Sequence, residues 1–129
     1  MIHKVWLSFG SNVAEGPLLI ESAAEKLKES VDRFKMSSVY RTPSIKNDGT
    51  LYHNSVAFFT SKLDFSTLNL RLKDLEKEAG RRSNIENPFA VELDLDIVIF
   101  DDTVIREKDY SREYFQIGYK EIKYHENGW

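Results

Sequence analysis

Residues 92–100 read Glu92-Leu93-Asp94-Leu95-Asp96-Ile97-Val98-Ile99-Phe100, and this stretch decides the fold that the sequence predicts. A period of two places two sets of side chains on opposite faces of one strand. The first set is Leu93, Leu95, Ile97 and Ile99, and the second is Glu92, Asp94, Asp96, Val98 and Phe100. The strand is therefore amphipathic at its start and apolar on both faces at its end. This pattern is typical of a strand that runs from a polar cleft into the middle of a sheet.

The two aspartates of this stretch, Asp94 and Asp96, are predicted to share a face, with their Cα atoms roughly 6.6 Å apart. Two like charges at that separation repel each other, and partial burial screens the repulsion poorly. Two interpretations are open. Either arginines pair with the aspartates at a solvated strand end, or the aspartates are ligands of hard divalent cations.

The sequence before this strand predicts three more strands and two helices. The strands are Lys4–Phe9, Phe34–Thr42 and Leu51–Ser61. The first helix begins at Gly16-Pro17, and the second is capped by Asp64 or Ser66 and ends at Gly80. Loops are predicted over 44–50, a length that suggests a binding loop, and over 81–91. Residues 104–122 are compatible with short strands or with a helix.

The order strand, helix, strand, strand, helix, strand predicts an α+β fold of the ferredoxin-like βαββαβ type. In this sandwich an antiparallel sheet carries two helices on one face. The 129 residues are expected to form a single domain, 1–129. Because the fold hosts many unrelated functions, a prediction of function depends on the residues of the site.

Composition excludes several classes of function. The net charge is -3, from 18 basic and 21 acidic residues, which argues against broad binding of nucleic acid. There is no cysteine, so neither a disulfide framework nor a thiolate metal site is expected. No signal-peptide pattern and no run of about 20 apolar residues occurs. We therefore expect a soluble, cytoplasmic protein with no nucleic-acid or membrane partner.

Several polar groups are expected near the aspartates in this topology. They are Gly10-Ser11-Asn12, Asn54, Arg81, Arg82 and Arg112. Mg²⁺ is usually held by one or two carboxylates and by substrate phosphates, and arginines neutralise the phosphate oxygens. Such a set suits phosphoryl transfer, in which the protein supplies mostly positioning and charge stabilisation. Each arginine alone also fits a surface charge, and Gly80-Arg81-Arg82 fits a favourable interaction with the helix dipole.

Asn54 lies in the middle of a strand with apolar neighbours, and a buried amide there needs hydrogen-bond partners. One interpretation is a bridge to backbone groups. The other is recognition of the edge of a heteroaromatic ligand, because asparagine offers two donors and an acceptor. Tyr52 shares the face of Asn54, and it fits either a core tyrosine or a ring that stacks on such a ligand.

Five motifs in order resemble one family over nearly the whole chain. They are Leu7-Ser8-Phe9-Gly10-Ser11-Asn12, Ser37-Ser38-Val39-Tyr40-Arg41-Thr42-Pro43, Tyr52-His53-Asn54, Leu75-Glu76-Lys77-Glu78-Ala79-Gly80-Arg81 and Leu93-Asp94-Leu95-Asp96-Ile97. Together they are similar to those of the 6-hydroxymethyl-7,8-dihydropterin pyrophosphokinases of the folate pathway. The resemblance implies transfer of pyrophosphate from ATP to a pterin hydroxymethyl group, with release of AMP.

The resemblance also implies roles for individual residues. It makes Asp94 and Asp96 ligands of two Mg²⁺ ions, which bridge the ATP phosphates and the attacking hydroxyl group. It makes Asn54 the reader of the polar pterin edge, helped by backbone groups of Thr42, Pro43 and Ile45. The pterin ring then lies between Tyr52 and Tyr114. Arg81 and Arg112 would contact phosphates and so join the aspartates as catalytic residues, while Glu76 and Ile97 would lie along the nucleotide.

The chain also departs from this family. The tryptophan and arginine that close over ATP in the family fall at Pro88 and Val91, and a histidine-containing segment before Arg112 is missing. The resemblance favours an enzyme with ATP and a pterin as substrates. The first alternative is a non-catalytic relative that binds a pterin or regulates a partner. The second is an unrelated ferredoxin-like interaction module whose acidic strand end is solvated.

Overall fold

The structure of the protein is a computed structural model that describes residues 1–46, 48–83 and 89–126, without the side chains of 81–83 and 126. Six strands and four helices occur in these ranges. The strands are β1 (His3–Ser11), β2 (Asp32–Met36), β3 (Tyr40–Pro43), β4 (Leu51–Ser61), β5 (Asp94–Phe100) and β6 (Thr103–Val104). The helices are α1 (Gly16–Lys28), α2 (Phe65–Ser83), α3 (Glu107–Tyr110) and α4 (Glu113–Glu126).

The strands form one antiparallel sheet in the order β2-β4-β1-β5-β6, and β3 pairs with the N-terminal part of β4. The predicted α+β, ferredoxin-like class is therefore confirmed. In the described part of the chain, no helix combines the length and the apolar character that a membrane crossing requires.

One face of the sheet, which we call the helix face, packs against α1 and α2 as predicted. Its core joins Val5, Leu7 and Phe9 of β1 to buried leucines of both helices. Pro17 occupies the first turn of α1, where its missing N–H group costs nothing. Asp64 caps α2, because its Oδ1 accepts a hydrogen bond of 2.8 Å from the amide of Thr67.

The opposite face, which we call the cleft face, carries a second core that the sequence did not predict. Trp6, Val56 and Val98 of the sheet pack there against Phe115 and Ile122 of α4. Helix α4 approaches β4 so closely at Gly118 that an added Cβ would lie 2.7 Å from Cγ2 of Val56. Because α4 covers only part of this face, the remainder of the face is left for a cleft.

The predicted faces of β5 are wrong for its last two residues. Trp6 pairs with Ile99 but Leu7 pairs with Ile97, so Val98 is an extra residue in β5. This bulge interrupts the alternation of side chains. As a result, Ile99 joins the core under α4 and Phe100 packs against the helix-face core.

The predicted strand Phe34–Thr42 is also wrong, because residues 37–39 separate β2 from β3. The Ser37 hydroxyl accepts a 2.9 Å hydrogen bond from the amide of Val56 and so replaces a backbone partner. The amide and the hydroxyl of Ser38 both donate to the Glu121 carboxylate, at 2.8 Å each. Side chains thus turn the strand aside toward α4 at this point.

The predicted end of the second helix at Gly80 is wrong as well, since α2 continues to Ser83. Gly80 is not among the positive-φ glycines of the described chain, and a glycine inside a helix costs only about 1 kcal/mol relative to alanine. Of the predicted loop 81–91, residues 81–83 are therefore helical. Residues 84–88, including Pro88, lie outside the described residues.

Candidate functional site

A cavity of about 260 Å³ opens on the part of the cleft face that α4 leaves uncovered. We call it the sheet cleft, and residues from β1, β3, β4, β5, α3 and α4 line it together with the loop after β3. The lining residues are Ser8, Gly10, Thr42, Pro43, Ser44, Ile45, Lys46, Tyr52, Asn54, Asp94, Asp96, Arg106, Asp109 and Tyr114. A volume of this size suits one small ligand.

Strand register sets the floor of the sheet cleft. Gly10 pairs with Asn54 on one side and with Asp94 on the other, so these three residues form a row across three strands. Adjacent strands lie about 4.8 Å apart, which places the amide and the carboxylate on opposite sides of the glycine. A methyl group on Gly10 would lie 3.9 Å from Cδ2 of Tyr52. The missing side chain of Gly10 therefore leaves room for a ligand between Asn54 and Asp94.

Asp94 and Asp96, which we call the acidic pair, both line the sheet cleft. Burial raises the pKa of Asp94, and the charge of Glu76 raises it further. Burial, and then the carboxylate of Asp94, raise the pKa of Asp96 to about 6. The charge of Asp94 therefore destabilises the ionised form of Asp96, and a positive charge nearby would offset this repulsion.

Glu76, expected along a nucleotide, holds the start of β5. Its Oε2 accepts hydrogen bonds from the Leu95 amide at 2.7 Å and from Lys73 Nζ at 3.0 Å. Its side chain is not part of the cleft lining. Glu76 therefore acts on the site through the position of β5 and through its charge beside Asp94.

Arg106 and Asp109 line the sheet cleft. Neither was predicted from the sequence as a residue of the site. Nη1 of Arg106 lies 3.8 Å from Oδ1 of Asp96, while its Nε donates to Asp109. Asp109 also accepts a hydrogen bond from the hydroxyl of Tyr114. Burial, and then this hydrogen bond, raise the pKa of Tyr114. The acidic pair is thereby connected through an arginine to one predicted ring-stacking residue.

A turn signal could have found Arg106. Asp101 and Asp102 have φ values of 50° and 67° and connect β5 to β6 as a two-residue hairpin loop. Aspartate tolerates the left-handed conformation that such tight hairpins require. Because Ile99 pairs with Val104, this hairpin brings the chain after β6 back beside Asp96.

Asn54 is buried, as its position in the strand required. Its Nδ2 donates to the Thr42 hydroxyl at 2.8 Å and to the Tyr52 carbonyl at 3.1 Å. Both interpretations of this residue therefore have support, because the amide bridges β3 to β4 and also lines the sheet cleft. Its two N–H donors are used in these bonds, so the carbonyl oxygen is the group that it offers a ligand within the described part of the chain.

Tyr40 fixes the first turns of α4 beside the sheet cleft. Its hydroxyl donates to the Tyr114 carbonyl at 2.5 Å and accepts from the Gly118 amide at 3.0 Å. Burial raises the pKa of Tyr40 to about 12, so the group remains a donor at neutral pH. This half-buried phenol thus ties the backbone of α4 at Tyr114 and Gly118 to β3.

The remaining predicted residues are not all brought together. Arg112 lies in an adjoining groove of about 370 Å³, the outer groove, which is lined by Ile45, Arg106, Glu107, Lys108, Asp109, Arg112 and Tyr114. The side chain of Ile97 is buried in the helix-face core, on the other side of the sheet from the acidic pair. Arg81 belongs to α2, but its side chain lies outside the described part of the chain.

The acidic pair fits a hard divalent cation. In the described ranges no three His, Cys, Asp or Glu side chains form a metal-binding group. Mg²⁺ does not need such a cage, because one or two carboxylates together with substrate phosphates and water usually hold it. The raised pKa values of both carboxylates are what a cation at this position would offset.

Two comparisons with known proteins point to the same chemistry. A family model described as 7,8-dihydro-6-hydroxymethylpterin-pyrophosphokinase matches residues 6–124. A curated relative from Aquifex aeolicus (strain VF5), named 2-amino-4-hydroxy-6-hydroxymethyldihydropteridine pyrophosphokinase, is 36% identical over 107 residues. The alignment covers 81% of this chain and 65% of the relative, so the chain spans slightly less than two thirds of that protein's length.

Proposed function

The chain belongs to the 7,8-dihydro-6-hydroxymethylpterin-pyrophosphokinase family, and on that premise we propose that its sheet cleft transfers pyrophosphate from ATP to 6-hydroxymethyl-7,8-dihydropterin. The observation that carries the proposal is the row formed by Asn54, Gly10 and Asp94. It puts a polar group suited to a heterocycle and a carboxylate suited to a cation on either side of one open position. The reaction would belong to folate biosynthesis and would take place in the cytoplasm.

The proposed reaction is an attack of the pterin hydroxymethyl oxygen on the β-phosphorus of ATP. A new O–Pβ bond forms, and the bond from Pβ to the oxygen that bridges the α- and β-phosphates breaks. AMP leaves with that bridging oxygen and its electron pair, and the hydroxyl proton passes to water. Two Mg²⁺ ions on the acidic pair would supply the charge neutralisation that such phosphoryl chemistry needs.

The residues around the cleft divide between the two substrates. Asn54 and the backbone of Thr42, Pro43 and Ile45 would hold the polar edge of the pterin, while Tyr52 and Tyr114 contact its faces. On the other side, Arg112 and Lys108 of the outer groove would bind phosphate oxygens. Ile97 would meet the nucleotide only through its backbone, because its side chain is in the core.

The test is a direct product analysis. The chain is incubated with Mg²⁺-ATP and 6-hydroxymethyl-7,8-dihydropterin, and AMP and the pterin diphosphate are quantified by chromatography. We expect the two products in equal amounts, and we expect Asp94→Asn and Asp96→Asn to lower the rate by at least about a thousandfold.

Asp102→Asn is the matched control for charge, because Asp102 is an exposed turn residue at the opposite end of β5. Asparagine also tolerates its φ of 67°. This variant should keep the wild-type rate. No AMP above a buffer control, at millimolar ATP and with folded protein, would contradict the proposal.

A second candidate is a non-catalytic pterin-binding relative. Among the side chains that the structure describes, only Lys46 and Arg106 bring positive charge into the cleft lining, and Arg106 already contacts two carboxylates. Calorimetric titration with pterin separates the two functions. Pterin binding that Asn54→Ala weakens, without formation of AMP by the wild-type chain, would favour the binding protein.

A further inference from the structure

The guanidinium of Arg106 lies at the junction of two cavities, since Arg106 lines both the sheet cleft and the outer groove. The bulge in β5 puts it there. The carbonyl of Val98, the extra residue, accepts hydrogen bonds from the amides of Ile105 at 2.8 Å and Arg106 at 3.4 Å. The backbone of Arg106 is therefore held against Val98, which follows Asp96 by two residues in β5. This placement does not depend on the side chain of Arg106.

The two acidic contacts of Arg106 are unequal. Nε donates a hydrogen bond to Asp109, whose side chain is 17% exposed. The approach to Asp96 is 3.8 Å, which is a charge–charge contact and too long for a hydrogen bond. Arg106 is thus anchored on Asp109 and only loosely attached to Asp96.

The donors of Arg106 are only partly used. A guanidinium carries five N–H donors in a planar fork that matches the oxygens of a phosphate, and the hydrogen bond to Asp109 uses the Nε donor. The side chain is 49% exposed, so its Nη groups can turn without a large loss of packing. Arg106 can therefore exchange Asp96 for another anionic partner, because its Nη donors are available and its side chain is half exposed.

We propose that Arg106 is a phosphate-binding residue of this site, and that it exchanges Asp96 for a nucleotide phosphate when a divalent cation occupies the acidic pair. This inference rests on the proposed function. A cation on Asp96 competes with the guanidinium for the same carboxylate. Phosphate oxygens drawn to the same cation would then come within reach of the Nη groups, and Asp109 would keep the fork in place.

The exchange predicts opposite effects of one substitution. Arg106→Gln removes the competitor for Asp96, so Mn²⁺ alone should bind about two- to five-fold tighter, as measured by electron paramagnetic resonance. The same variant loses a charged partner of the phosphates. Mg²⁺ with α,β-methylene-ATP, which cannot be cleaved between the α- and β-phosphates, should bind at least about tenfold more weakly in calorimetry.

Two variants serve as controls. Arg71→Gln makes the same change of charge on the exposed surface of α2, and it should leave both affinities unchanged. Arg106→Lys keeps the charge but loses the planar fork. It should bind Mn²⁺ like the wild type and recover only part of the nucleotide affinity.

The outcomes separate this inference from the proposed function. If Arg106→Gln weakens Mn²⁺ and nucleotide binding together, Arg106 merely maintains the shape of the site and the inference is wrong. If Arg106→Gln leaves the nucleotide affinity unchanged while the wild-type chain releases AMP, the inference alone is overturned. A wild-type chain that binds Mn²⁺ but neither binds the nucleotide nor releases AMP overturns both.

Discussion

At the scale of single residues, the acidic pair lowers the stability of the folded chain. Burial and mutual repulsion raise the pKa of Asp96 to about 6, from an ordinary value of 3.8. Above pH 6 the folded state therefore carries a charge that the unfolded state carries more easily. In the proposed function, the acidic pair would therefore serve the site at the expense of stability.

Asp96→Asn should consequently stabilise the chain in the absence of divalent cations. We expect the free energy of unfolding, measured by urea denaturation at pH 8, to rise by about 1–2 kcal/mol. The proton that folded wild type binds between pH 6 and pH 4 stabilises it as the pH falls through that range. The advantage of the variant should therefore shrink below pH 6 and disappear near pH 4.

Mg²⁺ should distinguish the two proteins. It stabilises wild type by binding the folded state alone, and it should leave Asp96→Asn almost unchanged. Equal stabilities of the two proteins at pH 8 without metal would mean that the Asp96 carboxylate is not strained by burial and by Asp94.

At the scale of elements, the site depends on how closely α4 approaches the sheet. Gly118 makes this contact possible, since a Cβ there would lie 2.7 Å from Cγ2 of Val56 and 2.8 Å from Oγ of Ser37. The same helix presents Tyr114 to the sheet cleft, and Tyr40 holds its first turns. A shift of α4 would therefore reshape the cleft.

Gly118→Ala should destabilise the chain by about 1–3 kcal/mol, because the added methyl group overpacks the contact with β4. Gly80→Ala is the matched control, since no described atom lies within 4 Å of its added Cβ. It should stabilise α2 by about 0.5–1 kcal/mol, the difference in helix propensity. Thermal unfolding of both variants measures the contrast, and a neutral Gly118→Ala would mean that α4 does not sit this close to β4.

The helix face was predictable from the sequence because its pattern is regular. Leucines and alanines repeat at helical spacing in α1 and α2, and they meet the alternating residues of β1 and β4. The position of Asp94 and Asp96 on one face followed from the same alternation. These features depend on local periodicity, which a sequence displays directly.

The cleft face was less predictable because its features depend on tertiary contacts. The extra residue Val98 changes the faces of Ile99 and Phe100, and no local pattern marks it. The pairing of β2 with β4 ends at Ser37, because the hydroxyl group of Ser37 accepts the hydrogen bond from the Val56 amide. Helix α4 has a strongly aromatic sequence, and its burial depends on a tertiary contact with Trp6 that no local pattern displays. Arg106 and Asp109 belong to residues 104–122, the part of the chain in which the sequence pattern did not distinguish strands from a helix. Their place in the site was therefore not predicted.

At the scale of the whole molecule, the two faces of the sheet have different tasks. The helix face holds a continuous core with α1 and α2. The cleft face is shared between the core under α4 and the open floor around Gly10. Of the strands that line the sheet cleft, β1, β4 and β5 all contribute residues to the helix-face core behind it. This arrangement allows an acidic pair to be held in one position despite its repulsion.

The most direct measurement of this arrangement is paramagnetic broadening of the amide NMR signals by Mn²⁺. Ser8 and Gly10 pair with Asp96 and Asp94, so their signals should broaden at the lowest Mn²⁺ concentration, while Lys35 in the edge strand β2, three strands from β5, should broaden much less. Asp96→Asn should abolish the effect. Strongest broadening around another acidic group, or broadening that persists in Asp96→Asn, would show that the cation site is not the acidic pair in the sheet cleft.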